Sequence, residues 1–157
     1  MHVRPLVADD RGWLEGFVRE RWGAPIVVGH GRVFRPAELE GFVALDGAEP
    51  VGLASYVLDD DACELITIDS VQEQRGIGSA LLEAVEQLAR EAGCRRIWLI
   101  TTNDNLTMLR FAQKRGFRLV ALRPNELEES RRLKPGISAH GLHGIPIRDE
   151  LELEKRL

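Results

Sequence analysis

Cysteine is nearly absent from this chain. Cys63 and Cys94 are the only two, which excludes a disulfide framework and leaves two reduced thiols packed among apolar neighbours. Tyrosine is scarcer still, with Tyr56 alone. No apolar run approaches the ~20 residues that cross a bilayer. The opening stretch, Met1-His2-Val3-Arg4-Pro5-Leu6, carries none of the apolar length of an export signal. A cytoplasmic protein with no membrane partner is therefore expected. A basic excess is missing too: 21 Lys and Arg stand against 25 Asp and Glu, for a net charge of −4. That balance argues against a nucleic-acid partner. The one basic cluster, Arg131-Arg132-Leu133-Lys134, lies beside Glu126, Glu128 and Glu129 and has the pattern of a solvated helix face.

What is present is a core-forming composition. Of 157 residues, 44% are hydrophobic and 29% charged, enough to build one domain over 1–157 and too few for two ordinary ones. A first strand is expected over Val3 to Val7. A helix follows the Ala8-Asp9-Asp10 cap, carries Trp13, Leu14, Phe17 and Val18 at helical spacing, and stops at Gly23. Ile26 to Val28 suits a strand, Gly29-His30-Gly31 a turn, and Arg35 to Leu39 one helical turn.

Three β segments then come in succession: Gly41 to Leu45, Val51 to Leu58 and Cys63 to Ile68, joined by short turns as in an antiparallel meander. From Gly76 to Ala92, Ile77, Leu81, Ala84, Val85 and Leu88 fall on one helix face and Glu83, Glu86 and Arg90 on the other. The apolar run Arg96 to Thr101 follows. Strand, helix and strand make a crossover, so the strands ending at Ile68 and Thr101 are expected to be parallel neighbours. A helix over Asp104 to Arg115, a strand over Phe117 to Leu122, a short helix over Glu126 to Leu133, a loop from Lys134 to Pro146 and a last strand within Ile147 to Leu157 complete the chain.

The most informative stretch is Gln72 to Leu82, where Gly76-Ile77-Gly78 sits between a strand and a helix. The first N–H groups of a helix have no internal partner, and the helix dipole favours an anion there. Gly76 and Gly78 have no Cβ to keep a phosphate from the backbone. Two common phosphate loops are excluded: Leu81 replaces the third glycine of the dinucleotide fingerprint, and no Gly-Lys-Ser/Thr follows.

With these landmarks in order, the chain resembles the GNAT superfamily of N-acetyltransferases. The family loop, Gln/Arg-x-x-Gly-x-Gly/Ala, falls on Glu73 to Gly78, and the asparagine that opens a helix ending in Gly-Phe falls on Asn105 and Gly116-Phe117. The resemblance implies a mixed α+β fold: a mostly antiparallel sheet, helices on both faces, and a central parallel pair splayed around acetyl-CoA. The pyrophosphate would rest on Gln74, Arg75, Gly76, Ile77, Gly78 and Ser79. The pantetheine would pair with backbone at Ile66 and Ile68, and Asn105 would touch the cofactor. The implied reaction moves an acetyl group from acetyl-CoA to a primary amine, either a small molecule or a peptide. A homodimer is compatible with this class. Two positions depart from the family: Glu73 stands where Gln or Arg is usual, and Ala112 stands where a tyrosine often protonates the leaving thiolate. The second departure motivates an alternative, a CoA-binding sensor or interaction module without efficient turnover.

Acyl transfer to an amine needs a base, because an amine of pKa ~10.4 is mostly protonated at neutral pH. By resemblance the base is expected on the strand carrying Glu64. Asp69, Asp149, Glu150, His140 and His143 are further candidates, and His30 has the pattern of a surface residue. Strict alternation along the strand would place Glu64 and Asp69 on opposite faces unless a bulge intervenes. No metal is expected, since the pair His140 and His143 has no evident third ligand. Trp13, Trp22 and Trp98 suit core or lid packing.

Overall fold

The architecture is a seven-stranded sheet with helices on both faces. The structure, a computed structural model, describes residues 1–72 and 75–157; Glu73 and Gln74 of the expected phosphate loop lie outside the described residues. In chain order the elements are β1 (His2–Pro5), α1 (Arg11–Trp22), β2 (Val27–Gly29), β3 (Arg32–Phe34), β4 (Glu40–Asp46), β5 (Glu49–Asp59) and β6 (Ala62–Ser70). Then come α2 (Ile77–Glu91), β7 (Arg96–Thr102), α3 (Leu106–Lys114), β8 (Arg118–Arg123), α4 (Glu126–Leu133) and β9 (Glu150–Arg156). The sheet runs β1-β4-β5-β6-β7-β9-β8, and β2 and β3 form a separate two-stranded hairpin.

The meander β4–β6 is antiparallel, and β6 and β7 are the parallel pair. That pairing is short. It joins Ala62 to Arg96, Cys63 to Ile97 and Glu64 to Trp98, and it goes no further. Beyond Glu64 and Trp98 the two strands part, and β7 continues against β9 alone as far as Thr102.

Helices α2 and α3 cover one face of the sheet. Ile77, Leu81, Leu82, Val85 and Ala89 of α2 are buried there with Ile97, Leu99, Ala112, Phe117 and Leu153; each large aliphatic side chain so buried contributes about 1.5–3 kcal/mol. Gly52 on β5 admits α2 to the sheet, because a Cβ there would lie 2.6 Å from Ile77 Cγ2. Glu86 departs from the expected solvent-facing side of α2: it is buried and pairs with Lys155 of β9 at 2.9 Å. On the opposite face α1 packs Leu14 and Val18 over Leu53.

Two further departures from the sequence reading matter for the site. First, β3 follows at once where only a turn was expected. Gly29 pairs with Arg32 across His30 and Gly31, which have φ of 37° and 77°. Positive φ at both central residues fits a type I′ hairpin turn. Second, β6 contains a bulge. Ser55 pairs with Thr67 and Tyr56 with Leu65, so Ile66 is an extra residue. The bulge shifts the alternation by one. Glu64 lies opposite Val57, Thr67 opposite Ser55 and Asp69 opposite Leu53, so all three point to the α1 face. Glu64 and Asp69 therefore share a face, contrary to strict alternation.

Candidate active site

Two hollows adjoin the splay. The larger, ≈ 790 Å³, is a groove along the N-terminus of α2 and the flank of α3, and Ile68, Gly76, Ile77, Gly78 and Ser79 line it. The smaller, ≈ 100 Å³, lies on the other side of the gap, and Glu64, Ile66, His30 and Glu150 line it. Asn105 lines both.

The start of α2 faces the larger groove. Gly76 is its N-cap, in the left-handed region at φ 75°, and among the described residues no side chain caps the helix. The N–H groups of the first turn therefore keep their free valences toward the groove. Cationic side chains gather around it: Arg21 from the end of α1, and Arg110, Lys114 and Arg115 from α3. Arg115 is fixed most firmly. Its Nε and Nη2 donate to Ser79 Oγ at 3.1 and 2.6 Å, Nη1 donates to the Phe111 carbonyl at 3.0 Å, and the guanidinium lies 3.8 Å from the Phe111 ring centroid. Arg75, expected to contact the anion, is exposed. Ile77 turns its side chain into the core and can offer only its backbone. Gly78 has a second reason for being glycine: a Cβ there would come 2.9 Å from Phe111 Cε2. Its small size serves the packing of α2 on α3 as well as the approach of a ligand.

Asn105 caps α3, with Oδ1 accepting from the Met108 N–H at 3.1 Å. Its capping role and its place in both linings coexist. Ala112 is fully buried in the core. Tyr56 packs in the same core with its hydroxyl on Glu40 Oε2 at 3.4 Å, and burial pushes its pKa up to about 12. Neither residue lines a hollow, so no phenol reaches the splay. Burial likewise pushes the Cys63 thiol up to about 12 and raises that of Cys94.

The small cavity is lined by two carboxylates and an imidazole. The I′ turn carries His30 over β7, with its ring centroid 5.4 Å from that of Trp98. His30 Nε2 is 2.9 Å from Glu64 Oε1. A neutral imidazole donating to that carboxylate carries its proton on Nε2 and keeps a lone pair on Nδ1. The backbone N–H of His30 donates to Glu150 Oε2 at 2.9 Å. Burial raises the Glu150 pKa, and the His30 N–H opposes that rise. Sequence reasoning set His30 aside as a surface residue. The cue to its position was the Gly29-His30-Gly31 turn, which brings it back over the sheet.

The other candidates are elsewhere. Asp69 faces the groove and accepts from Trp22 Nε1 at 2.9 Å; burial raises its pKa against that hydrogen bond. Asp149 accepts from the Asn125 N–H. His140 and His143 are exposed and line neither hollow. Trp13 packs beside α1 with Nε1 on Asp10, Trp22 borders the small cavity, and Trp98 lies under His30.

A sheet parted at a parallel pair, with a glycine-capped helix start ringed by cations on one side and a buried carboxylate–imidazole pair on the other, is the frame of an acyltransferase. The sequence profile of the Acetyltransferase (GNAT) family matches residues 8–117, and the chain belongs to that family. It is 43% identical over 158 residues to YxbD of Bacillus subtilis (strain 168), covering 100% of this chain and 99% of that protein. It is 45% identical over 143 residues to YdhI of the same organism, covering 90% and 89%. Among solved structures, a GNAT family acetyltransferase from Elizabethkingia anophelis with acetyl-CoA bound superposes with a TM-score of 0.71 at 20% identity, covering 99% of this chain and 97% of that one. Among the described residues no helix is long and apolar enough to cross a membrane.

Proposed function

We propose that this protein is an acetyl-CoA-dependent N-acetyltransferase acting on a primary amine, with Glu64 as the base in partnership with His30. The observation that carries the reading is the pair of hollows that share Asn105 in their linings, one with the start of α2 and cations, the other with Glu64 and His30. The residues fit the cosubstrate. The open N-terminus of α2 and the four cations suit pyrophosphate and phosphate, and the groove has the volume of a cofactor site. Acetyl-CoA bound to the Elizabethkingia relative of the same fold supports the assignment. The backbone of Ile66 and Ile68, on a strand edge that β7 has left, would bind the pantetheine. The same strand would supply an N–H for the oxyanion. Gly76 to Ser79 would hold the pyrophosphate, and the Gln74 and Arg75 contacts are proposed on family position.

Glu64 and His30 remove the proton that an alkylammonium carries at neutral pH. The thiolate can leave without a phenol, because a thiol of pKa ~8.5 is a tolerable leaving group. The test is CoA release from acetyl-CoA in the presence of primary amines, with the acetylated amine identified by mass spectrometry. Amine-dependent release is expected. Tight acetyl-CoA binding with no release above hydrolysis would instead support a sensor.

A further inference from the structure

The small cavity has a one-sided charge. Glu64 and Glu150 are both buried in its wall, and among the described residues no lysine or arginine lines it. Arg123, opposite Glu150 on β8, donates to Glu152 at 2.7 Å and also attracts the Glu150 carboxylate, but it does not line the cavity. The carboxylate of Glu150 is held by a backbone N–H rather than by a cation. The rest of the wall is largely apolar, with Val28, Phe34, Ile100 and Leu127 around it. Space of ≈ 100 Å³, against roughly 10–15 Å³ for one water, takes an unbranched stem of a few heavy atoms. A slim alkyl stem meets fewer walls in such a space than a branched α-carbon with its substituents.

We propose, on the basis of the acetyltransferase reading above, that the acceptor is an unbranched primary alkylammonium, either a free alkyl amine or diamine or a lysine side chain, and that Glu150 is the carboxylate that recognises its charge. An α-amino acid would set its carboxylate against Glu64 and Glu150 with no lysine or arginine among the lining residues to receive it, and a peptide α-amine would bring a bulkier, branched carbon into the cavity. In the transfer, the ammonium gives one proton to Glu64 and His30. The freed nitrogen lone pair forms the N–C bond at the acetyl carbonyl. The C–S bond then breaks with its electron pair leaving on sulfur. The nitrogen loses its second proton, the thiolate takes one up, and one proton is released overall.

The experiment measures CoA release with butylamine, a butanediamine, Nα-acetyl-lysine amide, glycine and a lysine-free peptide with a free N-terminus. Wild type and Glu150→Gln are compared. The expected kcat/KM for at least one alkylammonium acceptor is about tenfold or more above that for glycine or the peptide. The blocked lysine against the free amines tells which source the cavity takes. Glu150→Gln keeps an acceptor for the His30 N–H and loses the charge. It is expected to raise the amine KM about tenfold while the acetyl-CoA KM is unchanged. Glycine or the peptide reacting as fast as the alkylamines overturns the acceptor class and leaves the acetyltransferase reading standing. An unchanged amine KM in a folded Glu150→Gln protein overturns the role of Glu150. Acetyl-CoA binding with no CoA release from any acceptor overturns both the acceptor class and the enzyme reading. The wild-type ranking decides the acceptor class even if the variant does not fold.

Discussion

Glu64 is buried, and its hydrogen bond to His30 ties it to a ring that sits in a hairpin turn. A carboxylate so placed can take an amine proton itself or pass it through the imidazole, and either route needs its negative charge. Glu64→Gln keeps the shape and a hydrogen bond to His30 while removing that charge. The rate is expected to fall by about 10²–10⁴-fold, with acetyl-CoA affinity intact. The deficit should shrink toward the amine pKa of ~10.4, where solvent already deprotonates the acceptor. A Glu64→Gln enzyme with a wild-type pH–rate profile would move the role to Glu150, which lines the same cavity. At this scale the sequence singled out Glu64 and the glycine loop as candidates, and the structure puts each beside a hollow. The sequence did not show Arg115 or His30, because both act through partners distant in the chain: Ser79 is 36 residues from Arg115, and Glu64 is 34 from His30.

The entry into α1 shows how one side chain can organise an element. Asp10 Oδ2 accepts from the Val7 N–H and from Arg4 Nη1, while Oδ1 accepts from Arg4 Nη2 and Trp13 Nε1. The hydrogen bond from Arg4 is the main reason its pKa lies well below the usual carboxylate range. Because the folded value is depressed, the stabilisation is fully present above the unfolded value of ~3.9 and is lost as pH falls through the folded one. Asp10→Asn is expected to cost about 1–3 kcal/mol at neutral pH, read by chemical denaturation. It should also flatten the acid side of the stability profile. Equal stability of the two proteins at neutral pH would contradict the bonding scheme. Helix and strand positions were legible to within a few residues, since apolar spacing sets them. The bulge at Ile66 was not, because period-2 alternation carries no mark of an extra residue. The hairpin β2–β3 was half legible: Gly31 marked the turn, but the short return strand Arg32–Phe34 had no alternation long enough to read.

For the whole molecule, the decisive feature is where the sheet comes apart. The crossover through α2 made β6 and β7 parallel neighbours, and that followed from element order alone. The point of divergence, just past Glu64 and Trp98, lies beside the His30 turn packed over β7. Those are tertiary facts that no local pattern encodes. The central claim is that acetyl-CoA occupies this gap, with its pyrophosphate on the start of α2 and its pantetheine along β6. Amide hydrogen exchange, compared with and without saturating acetyl-CoA, tests it directly. Exchange is expected to slow at the amides of Ile66 to Ile68 and of Ile77 to Ser79 together, since one ligand would cover both. Saturating acetyl-CoA that leaves both segments exchanging as in the free protein would contradict the account.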